Sequence, residues 1–342
     1  MAMRTRCYLG WLAVLLADLV VAVAGTPAEK VLKHADDWFL TDDAERVLAN
    51  ILSWQTVRGD WPKNVDTTAQ PFPRPGGPPS GTFDNGATVG ELRVLARAVR
   101  VTGKEPYRQA FLRGFDHLLA AQYPHGGWPQ FYPPGNGYHR HVTFNDGTMV
   151  RLMEFLDDAH RLPEFDFLDA RRRAAAGEAV ERAIDCVLRC QVVVEGTPTV
   201  WCAQHDADTL APAQGRSFEP PSLSGAESAG ILRFLMRVPS PSDRIIRAVE
   251  AGVAWFEAVK IEGYRYRRSD AGPSLVADAK APALWARFYE IGTNRPIFCD
   301  RDGVVKYDLQ EIGSERRGGY TWYGTWGEEV RQAYARWPYR QR

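Results

Sequence analysis

Apolar residues recur three and four positions apart over most of the chain, which is the spacing of one face of an α-helix. Few segments alternate apolar and polar residues with the period of two that marks a half-buried strand. The pattern therefore predicts a mostly α-helical protein. The predicted helices cover residues 43–54, 88–101, 105–121, 147–160, 170–190, 226–237, 242–258 and 281–291.

Nearly the same sequence stands at the start of two predicted helices. TFDNGATVGELRVL and TFNDGTMVRLMEFL align when Gly86 is placed on Gly147, and a Gly followed by Trp-Pro precedes both copies. A third copy, SLSGAESAGILRFL, places Gly225 at the same position. Repeats of a helix, a long loop and a second helix predict helical hairpins arranged around an axis.

The tryptophans Trp61, Trp128 and Trp201 mark the three units. The fold that we predict is all-α, an α/α-toroid whose long loops gather at one end. Such loops are rich in Gly, Pro and aromatic residues, and structureless loops of this length are usually functional. The arrangement is expected to bring Asp84 and Asp146 together with the loop EPPSLSGAES.

Charge and the N-terminus limit the possible partners and the domain organisation. The 342 residues carry 42 basic and 42 acidic side chains, so no bulk field favours nucleic acid or an anionic membrane. Arg4 and Arg6 precede an apolar run that ends in an A-x-A pattern, which predicts a signal peptide over residues 1–24. A membrane anchor is the alternative. Residues 25–342 are predicted to form one catalytic domain, exported and monomeric.

Four cysteines remain after residue 24: Cys186, Cys190, Cys202 and Cys299. Export would permit disulfides between them, and their pairing does not follow from the sequence. No zinc-finger spacing accompanies Cys186 and Cys190, which lie one helical turn apart. We therefore expect structural cysteines, either buried or disulfide-linked.

Each of the first two copies carries an Asp and an Asn before its helix: Asp84 with Asn85, and Asn145 with Asp146. Short polar side chains of this kind commonly cap helices. One residue is enough for a cap, and the spare carboxylate in each copy is a hard oxygen ligand that suits Ca²⁺. The sequence alone leaves capping and metal binding equally open.

Aromatic and arginine residues crowd the same loops. The aromatic residues follow Gly and Pro rather than helical spacing, which fits a sugar-stacking groove as well as it fits loop packing. Arginines that converge on one end of a toroid would bind a carboxylated polymer, because the guanidinium fork matches a carboxylate. The aromatic residues are Trp61, Phe72, Phe83, Trp128, Phe131, Tyr132, Tyr138, Trp201, Trp322, Tyr323 and Trp326. The arginines are Arg216, Arg295, Arg301, Arg316 and Arg317.

Together these motifs resemble the family 10 pectate lyases of bacteria over residues 40–338. The motifs are GDWPKN, TFDNGAT, GGWPQFYP, TFNDGTM, WCAQHD, EPPSLSGAES and RFYEIGTNRPIFCDRDG with YDLQEIGSERRGGYTWYG. The resemblance implies an α/α toroid that cleaves polygalacturonate by anti β-elimination, assisted by Ca²⁺. The products would be 4,5-unsaturated oligogalacturonides.

The same resemblance assigns roles to individual residues. It places Asp84 and Asp146 around the metal and the substrate carboxylate, and it makes Arg216 the catalytic residue. A second substrate-binding arginine falls on Arg295 or Arg301. Arginine is an unusual base, since its pKa normally lies above about 12, so Lys63 and His139 are the next candidates. The remaining candidate substrate contacts are Lys63, Trp128, His139, Asp206 and Glu219.

Three other interpretations compete with elimination. An inverting glycoside hydrolase acting on a uronate-containing polysaccharide would use Asp84 and Asp146 as acid and base. A non-catalytic carbohydrate-binding protein would need only the aromatic loops. Zinc at His139, His141 and His205 is the weakest alternative, because no recognised ligand spacing is present.

Overall fold

The structure is a computed structural model that describes residues 26–269 and 272–340. The predicted signal peptide lies outside these residues. The mostly helical prediction is confirmed, and seven of the eight predicted helices are present with small shifts at their ends. The α-helices of the described residues are α1 Pro27–Val31, α2 Asp42–Ser53, α3 Val89–Thr102, α4 Glu105–Ala120, α5 Thr148–Arg161, α6 Ala170–Cys190, α7 Gly225–Arg237, α8 Asp243–Ala258, α9 Ser314–Gly318 and α10 Trp326–Arg336.

Short antiparallel strand pairs connect the loops between the helices. The strands are β1 Val142–Thr143, β2 Val193–Val194, β3 Thr197–Pro198, β4 Gln204–His205, β5 Leu223–Ser224, β6 Tyr264–Arg267, β7 Ser274–Ala277, β8 Trp285–Ala286, β9 Phe288–Tyr289, β10 Phe298–Cys299, β11 Val305–Lys306 and β12 Tyr323–Gly324. They pair as β1 with β4, β2 with β3, β5 with β9, β6 with β7, β8 with β12, and β10 with β11. These ladders fix the loops on one another without forming a larger sheet.

The helix predicted over residues 281–291 is wrong. That segment is extended and contains β8 and β9, which pair with two separate loops. Its apolar side chains are buried on both faces of the strand, and a short buried strand of this kind cannot be distinguished from a helix by periodicity. Helix α10 was not predicted, although Trp326, Val330 and Tyr334 recur every four residues along it and pack against the core.

The repeat is confirmed by a hydrogen bond that each unit makes. Each marking tryptophan is buried, and its indole N–H donates to a carbonyl of the preceding helix or of its last turn. The donor–acceptor pairs are Trp61 with Ile51 at 2.8 Å, Trp128 with Leu118 at 2.9 Å, Trp201 with Val187 at 2.7 Å and Trp285 with Phe256 at 2.8 Å. The last pair reveals a fourth unit, which the sequence analysis did not recognise.

A second bond joins successive units to each other. A glutamine stands just after each of α2, α4 and α6. Its side-chain N–H donates to a backbone carbonyl in the middle of α4, α6 and α8, respectively. The pairs are Gln55 with Ala110 at 2.8 Å, Gln122 with Ala179 at 2.8 Å and Gln191 with Ala248 at 3.0 Å. These three bonds link α2, α4, α6 and α8 in order.

The other helices, α3, α5, α7 and α10, follow the same order. Helix α3 packs on α4, α5 packs on α6, and α7 packs on both α8 and α10. The predicted row of helical hairpins is therefore present, and the long loops between the hairpins carry the candidate site residues. The helix contacts trace an arc from α1 to α10, and they do not directly show a closed ring. No helix within the described ranges is long and apolar enough to cross a membrane.

Candidate active site

The Asp and Asn residues that precede α3 and α5 lie in two equivalent turns that pack against each other. These 3-10 turns are Asp84–Gly86 and Asn145–Gly147. In each turn the second residue adopts left-handed backbone angles, with φ of 54° at Asn85 and 52° at Asp146, which Asn and Asp tolerate better than most residues. None of these side chains caps α3 or α5, so the capping interpretation is wrong.

Asp84 is almost fully buried and is held by two donors from neighbouring loops. Its Oδ2 accepts hydrogen bonds from Lys63 Nζ and from Gln130 Nε2, the latter at 2.6 Å. Its Oδ1 and the side-chain oxygen of Gln130 have no hydrogen-bond partner within the described part of the chain. Lys63 and Gln130 each stand two residues after a marking tryptophan, so the repeat aims equivalent side chains at the same carboxylate.

Arg287 organises the second turn. Its Nη2 lies 2.9 Å from Asp146 Oδ1, 2.6 Å from Glu227 Oε1 and 3.2 Å from Asn145 Oδ1. Burial lowers the pKa of the Arg287 guanidinium, but the nearby negative charges outweigh this effect and hold the pKa well above its ordinary value. Arg287 therefore remains a cation beside the Asp146 carboxylate.

The sequence analysis missed Arg287 because it lies in the segment assigned to a helix. A signal was available, since Arg287 stands two residues after Trp285, as Lys63 does after Trp61. The backbone carbonyl at this position also accepts an equivalent hydrogen bond in two units. Gly225 N–H donates to Arg287 O at 2.9 Å, just as Phe83 N–H donates to Gln130 O. The fourth unit therefore supplies a cation to the candidate site from the position that Lys63 occupies in the first unit and Gln130 in the second.

Arg216 forms a two-point ion pair with Glu219 in the loop before α7. Its Nε lies 3.0 Å from Glu219 Oε2, and its Nη2 lies 2.5 Å from Oε1. Tyr320 also donates its hydroxyl to Glu219 Oε1 at 2.8 Å. Burial lowers the pKa of Arg216, but the hydrogen bond and charge of Glu219 outweigh it, so the pKa is raised above its ordinary value.

Four arginines pack against the rings of Phe218 and Tyr320. The guanidinium carbons over the Phe218 ring are those of Arg316 at 4.3 Å, Arg216 at 4.8 Å and Arg301 at 5.9 Å. The Tyr320 ring carries Arg287 at 4.6 Å and also meets Arg216 at 5.8 Å. These contacts join the Arg216 loop to the Asp146 turn through Arg287. We refer to Arg216, Arg287, Arg301 and Arg316 as the arginine cluster.

The two arginines between which the sequence could not decide lie in different surroundings. Arg301 is exposed, contacts the Phe218 ring and pairs with Glu315 at 3.0 Å. Arg295 stacks on Tyr307 at 3.8 Å and makes no contact with Phe218 or Tyr320 in the structure. Only Arg301 belongs to the arginine cluster.

Several aromatic candidates face the core instead of an open groove. Trp128 is fully buried, so its predicted contact with substrate is wrong. Trp61, Trp201 and Trp322 are also fully buried, as is Phe83. The reason is that an indole N–H needs an acceptor, and the free carbonyls near helix ends provide one when the loop folds back over them.

Tyr138 and His139 are half-buried and lie between the two groups of charged residues. Burial raises the pKa of Tyr138, while the positive charges of Arg216 and Lys63 lower it. Burial lowers the pKa of His139, and Lys63 lowers it further. The ring centroids of Tyr138 and His139 are 3.9 Å apart. Tyr138 is therefore close enough to both Lys63 and Arg216 for their charges to affect its pKa.

Asp206 and His205 both form hydrogen bonds with the backbone of their own loop. Asp206 Oδ1 accepts the backbone N–H groups of Asp208 and Thr209 and so shapes its own loop. In His205, Nδ1 lies 2.9 Å from Leu210 O, and Nε2 accepts from Cys202 N–H at 3.1 Å. Burial lowers the pKa of His205 to about 4. Both ring nitrogens of His205 are occupied by backbone, so the zinc alternative that includes it is wrong.

Cys186, Cys190, Cys202 and Cys299 are buried free thiols in the structure. We expected either buried or disulfide-linked cysteines, and the structure has buried cysteines without disulfides. Cys186 Sγ lies 3.7 Å from His125 Nδ1, and Cys202 Sγ lies 3.8 Å from Ala213 O. Cys299 Sγ lies 3.7 Å from Ser217 O, in the loop that carries Arg216.

Comparison with known proteins finds a matching family model and similar solved structures. Residues 55–331 match the family model described as pectic acid lyase. Two solved structures are similar, both of a family 10 polysaccharide lyase from Cellvibrio cellulosa, with 38% sequence identity and a TM-score of 0.81. One is a mutant in complex with trigalacturonic acid, and the match covers 93% of this chain and 99% of that one. The match to the second covers 94% of this chain and 99% of that one.

No curated protein sequence matches the chain. The family match nevertheless spans most of its length and includes both Asp/Asn turns, Arg216 and Arg287. The solved relatives cover nearly the whole chain at an identity that shows common descent. This chain belongs to the pectic acid lyase family, whose members are polysaccharide lyases.

Proposed function

We propose that this chain is a pectate lyase that cleaves polygalacturonate by Ca²⁺-assisted anti β-elimination and releases 4,5-unsaturated oligogalacturonides. The observation that carries the proposal is the arginine cluster beside the turns of Asp84 and Asp146. Family membership supports the reaction type. The trigalacturonic acid bound to a solved relative supports the substrate class.

The chemistry explains why carboxylates and arginines stand together. Elimination removes the proton on C5 of a galacturonate, and negative charge then develops on the neighbouring carboxylate. Cations fixed in advance around that carboxylate stabilise the developing charge more than they stabilise the ground state. Arg287 is rigid and buried, and Arg216 and Arg301 are partly open to solvent. These arginines can therefore bind uronate carboxylates and lower the barrier.

Two carboxylates support the calcium part of the proposal, although no group of three or more His, Cys, Asp or Glu side chains in the described residues is arranged to hold a metal. Asp84 Oδ1 is a buried carboxylate oxygen without a hydrogen-bond partner in the described chain, which is the kind of ligand that Ca²⁺ accepts. Asp146 shares its oxygens with Arg287 and Asn145 but keeps further lone pairs. When bound, the ion would neutralise the substrate carboxylate. Asp84 and Asp146 would hold it, and the substrate would complete the coordination.

We propose Arg216 as the catalytic residue that acts at the C5 proton. In its pair with Glu219 the guanidinium retains its proton, because the pKa is raised. To act as the base, Arg216 must leave its ion pair with Glu219 when substrate binds. An electrostatic role for Arg216 requires no such change. His139, whose pKa is lowered and which lies near Lys63 and Asp84, is the neutral acceptor to examine if Arg216 proves to be electrostatic only.

Arg301 is the second arginine that we propose for substrate binding, in preference to Arg295. Exchange of Arg301 for Met should raise KM for polygalacturonate, since it removes one cation from the cluster. Arg295→Met is the matched control, because Arg295 is also exposed but stacks on Tyr307. An equal effect of both changes on KM would contradict the assignment.

One assay separates elimination from the alternatives. Incubation with polygalacturonate and Ca²⁺ should produce the ultraviolet absorbance of a C4–C5 unsaturated uronide, and a chelator should abolish it until Ca²⁺ is restored. A glycoside hydrolase would release reducing ends without this absorbance. A binding protein would release neither. Absorbance that persists in excess chelator would contradict the calcium part of the proposal while leaving elimination intact.

We also propose that the protein is exported. The support is the N-terminal pattern alone, in which Arg4 and Arg6 precede an apolar run and an A-x-A site. N-terminal sequencing of the protein from its producing cells should find a chain that starts near Gly25. A mature chain that starts at Met1 would contradict it.

A further inference from the structure

A cavity opens beside the Asp84 turn and has no role in the reaction described so far. Its volume is about 310 Å³, which lies at the lower end of the range of roughly 300–1,000 Å³ found for ligand sites. Lys63 and Asn85 line it, so it adjoins the Asp84 turn directly. A polymer bound across the catalytic centre can therefore place a neighbouring sugar unit in this cavity.

Glu91 lines the cavity and has unused hydrogen-bonding capacity. The side chain is 3% exposed, and its Oε1 accepts a hydrogen bond from Thr67 Oγ1 at 3.0 Å. Its Oε2 is buried and has no hydrogen-bond partner among the described residues. A buried polar atom without a partner is costly, so a ligand that satisfies Glu91 gains that free energy.

The charges around the cavity favour an uncharged ligand. Burial, and to a smaller extent the negative charge of Glu29, raise the pKa of Glu91 to about 7, so the carboxyl retains its proton in mildly acidic solution. Asp66 adds a negative charge at the lining, and the positive charge of Lys63 is already shared with Asp84. An ionised uronate in the cavity would meet the negative charge of Asp66, and the cation of Lys63 is already paired with Asp84.

The rest of the lining is suited to a small apolar group. Pro27, Pro62, Val65 and Ala87 contribute hydrocarbon surface to the same cavity. A methyl ester combines the two features that this lining requires. Its carbonyl oxygen accepts a hydrogen bond from a protonated carboxyl, and its methyl group packs on aliphatic side chains.

We propose that this cavity is a subsite for a methyl-esterified galacturonate unit that neighbours the unit being cleaved, with Glu91 donating a hydrogen bond to the ester carbonyl. The inference rests on the proposed pectate lyase activity and adds a preference to it. The enzyme selects substrate in which an ionised uronate at the catalytic centre is followed by an esterified one in the cavity.

The test compares kcat/KM on partly methyl-esterified and on fully de-esterified polygalacturonate, at about one pH unit below the pKa of Glu91. Glu91→Leu removes the donor, and the ratio of esterified to de-esterified kcat/KM should fall about five- to tenfold, the worth of one hydrogen bond. Glu91→Gln keeps a donor and should preserve most of the ratio. Val65→Phe narrows the cavity without touching Glu91 and should also lower the ratio.

Glu164→Leu is the matched control, since Glu164 lies on the turn after α5 and lines a different cavity. Its ratio should equal that of the unchanged protein. The inference is overturned if Glu91→Leu and Val65→Phe both leave the ratio within about twofold, less than one hydrogen bond is worth. It is also overturned if Glu91→Gln selectively improves kcat/KM on the de-esterified polymer, because the occupant is then a charged uronate. Absence of unsaturated product from the unchanged protein would instead reject the lyase proposal itself.

Discussion

Replacement of Arg287 by Met should destabilise the protein strongly, because Arg287 is the cation of a buried ion-pair network. Its side chain is 9% exposed, and its partners Asp146 and Glu227 are 29% and 2% exposed. Removal of one partner from a buried pair typically costs about 3–5 kcal/mol, because the other charge is left without compensation. Glu227 should account for most of this cost, since Asp146 can regain water.

Urea unfolding followed by circular dichroism measures the effect as a lower midpoint at an unchanged slope. The double change Arg287→Met with Glu227→Gln removes the stranded charge and should recover at least half of the loss. Arg233→Met is the matched control. Arg233 pairs with Glu329 on the surface, where both side chains are about half exposed, and its loss should cost about 0–1 kcal/mol.

The reasoning is refuted if Arg287→Met costs no more than Arg233→Met. It is also refuted if the double change is less stable than Arg287→Met alone, because Glu227 would then contribute stability without its cation. A change in the slope would indicate an altered unfolded or native state instead of a lost ion pair.

Three further predictions concern the carboxylates and Arg216, the arginine that we propose as catalytic. Asp84→Asn and Asp146→Asn should keep the fold but require more Ca²⁺ for half-maximal activity, and an unchanged calcium titration in both would remove them from the metal site. Arg216→Lys should lower kcat at least about a hundredfold with little change in KM if Arg216 is the base, whereas a raised KM with near-normal kcat would show that it only binds uronate. Because the pKa of Glu91 is raised in the folded state, the folded protein keeps a proton that the unfolded chain loses between pH 4.5 and about 7. The free energy of unfolding should therefore fall as pH rises through this range, by up to about 3 kcal/mol. Glu91→Gln should lack this fall, and a similar urea-midpoint profile in both proteins would contradict the shift.

Local periodicity was sufficient to predict most of the helices and the repeat. The apolar spacing located α2 to α8 within one residue at either end, because amphipathic helices carry their burial pattern in the sequence. The repeat also predicted that Asp84 and Asp146 would lie together, and the two turns that contain them pack against each other. The residues of both turns lie where the alignment of Gly86 with Gly147 expects them.

The direction in which loop side chains point could not be predicted in the same way. Trp128 and Tyr138 both follow Gly-rich loop segments, yet one is buried against α4 and the other lies at the site. Burial depends on which helix carbonyl the loop folds over, and that is a tertiary contact. Arg287 was missed for a related reason, since its segment has helical spacing but pairs as strands with two other loops.

The glutamine bonds between successive units have a consequence for how the site loses order. Each bond fastens a unit only to its neighbour, so a local opening event can spread along the chain of units in steps. Gln55 secures the unit that carries Lys63, and Gln191 lies between α6 and the loop of Arg216. The Asp84 turn and the Arg216 loop therefore lie in units that different glutamine hydrogen bonds stabilise. Hydrogen exchange in the Asp84 turn and in the Arg216 loop can then proceed at different rates, with one half of the site open while the other stays closed.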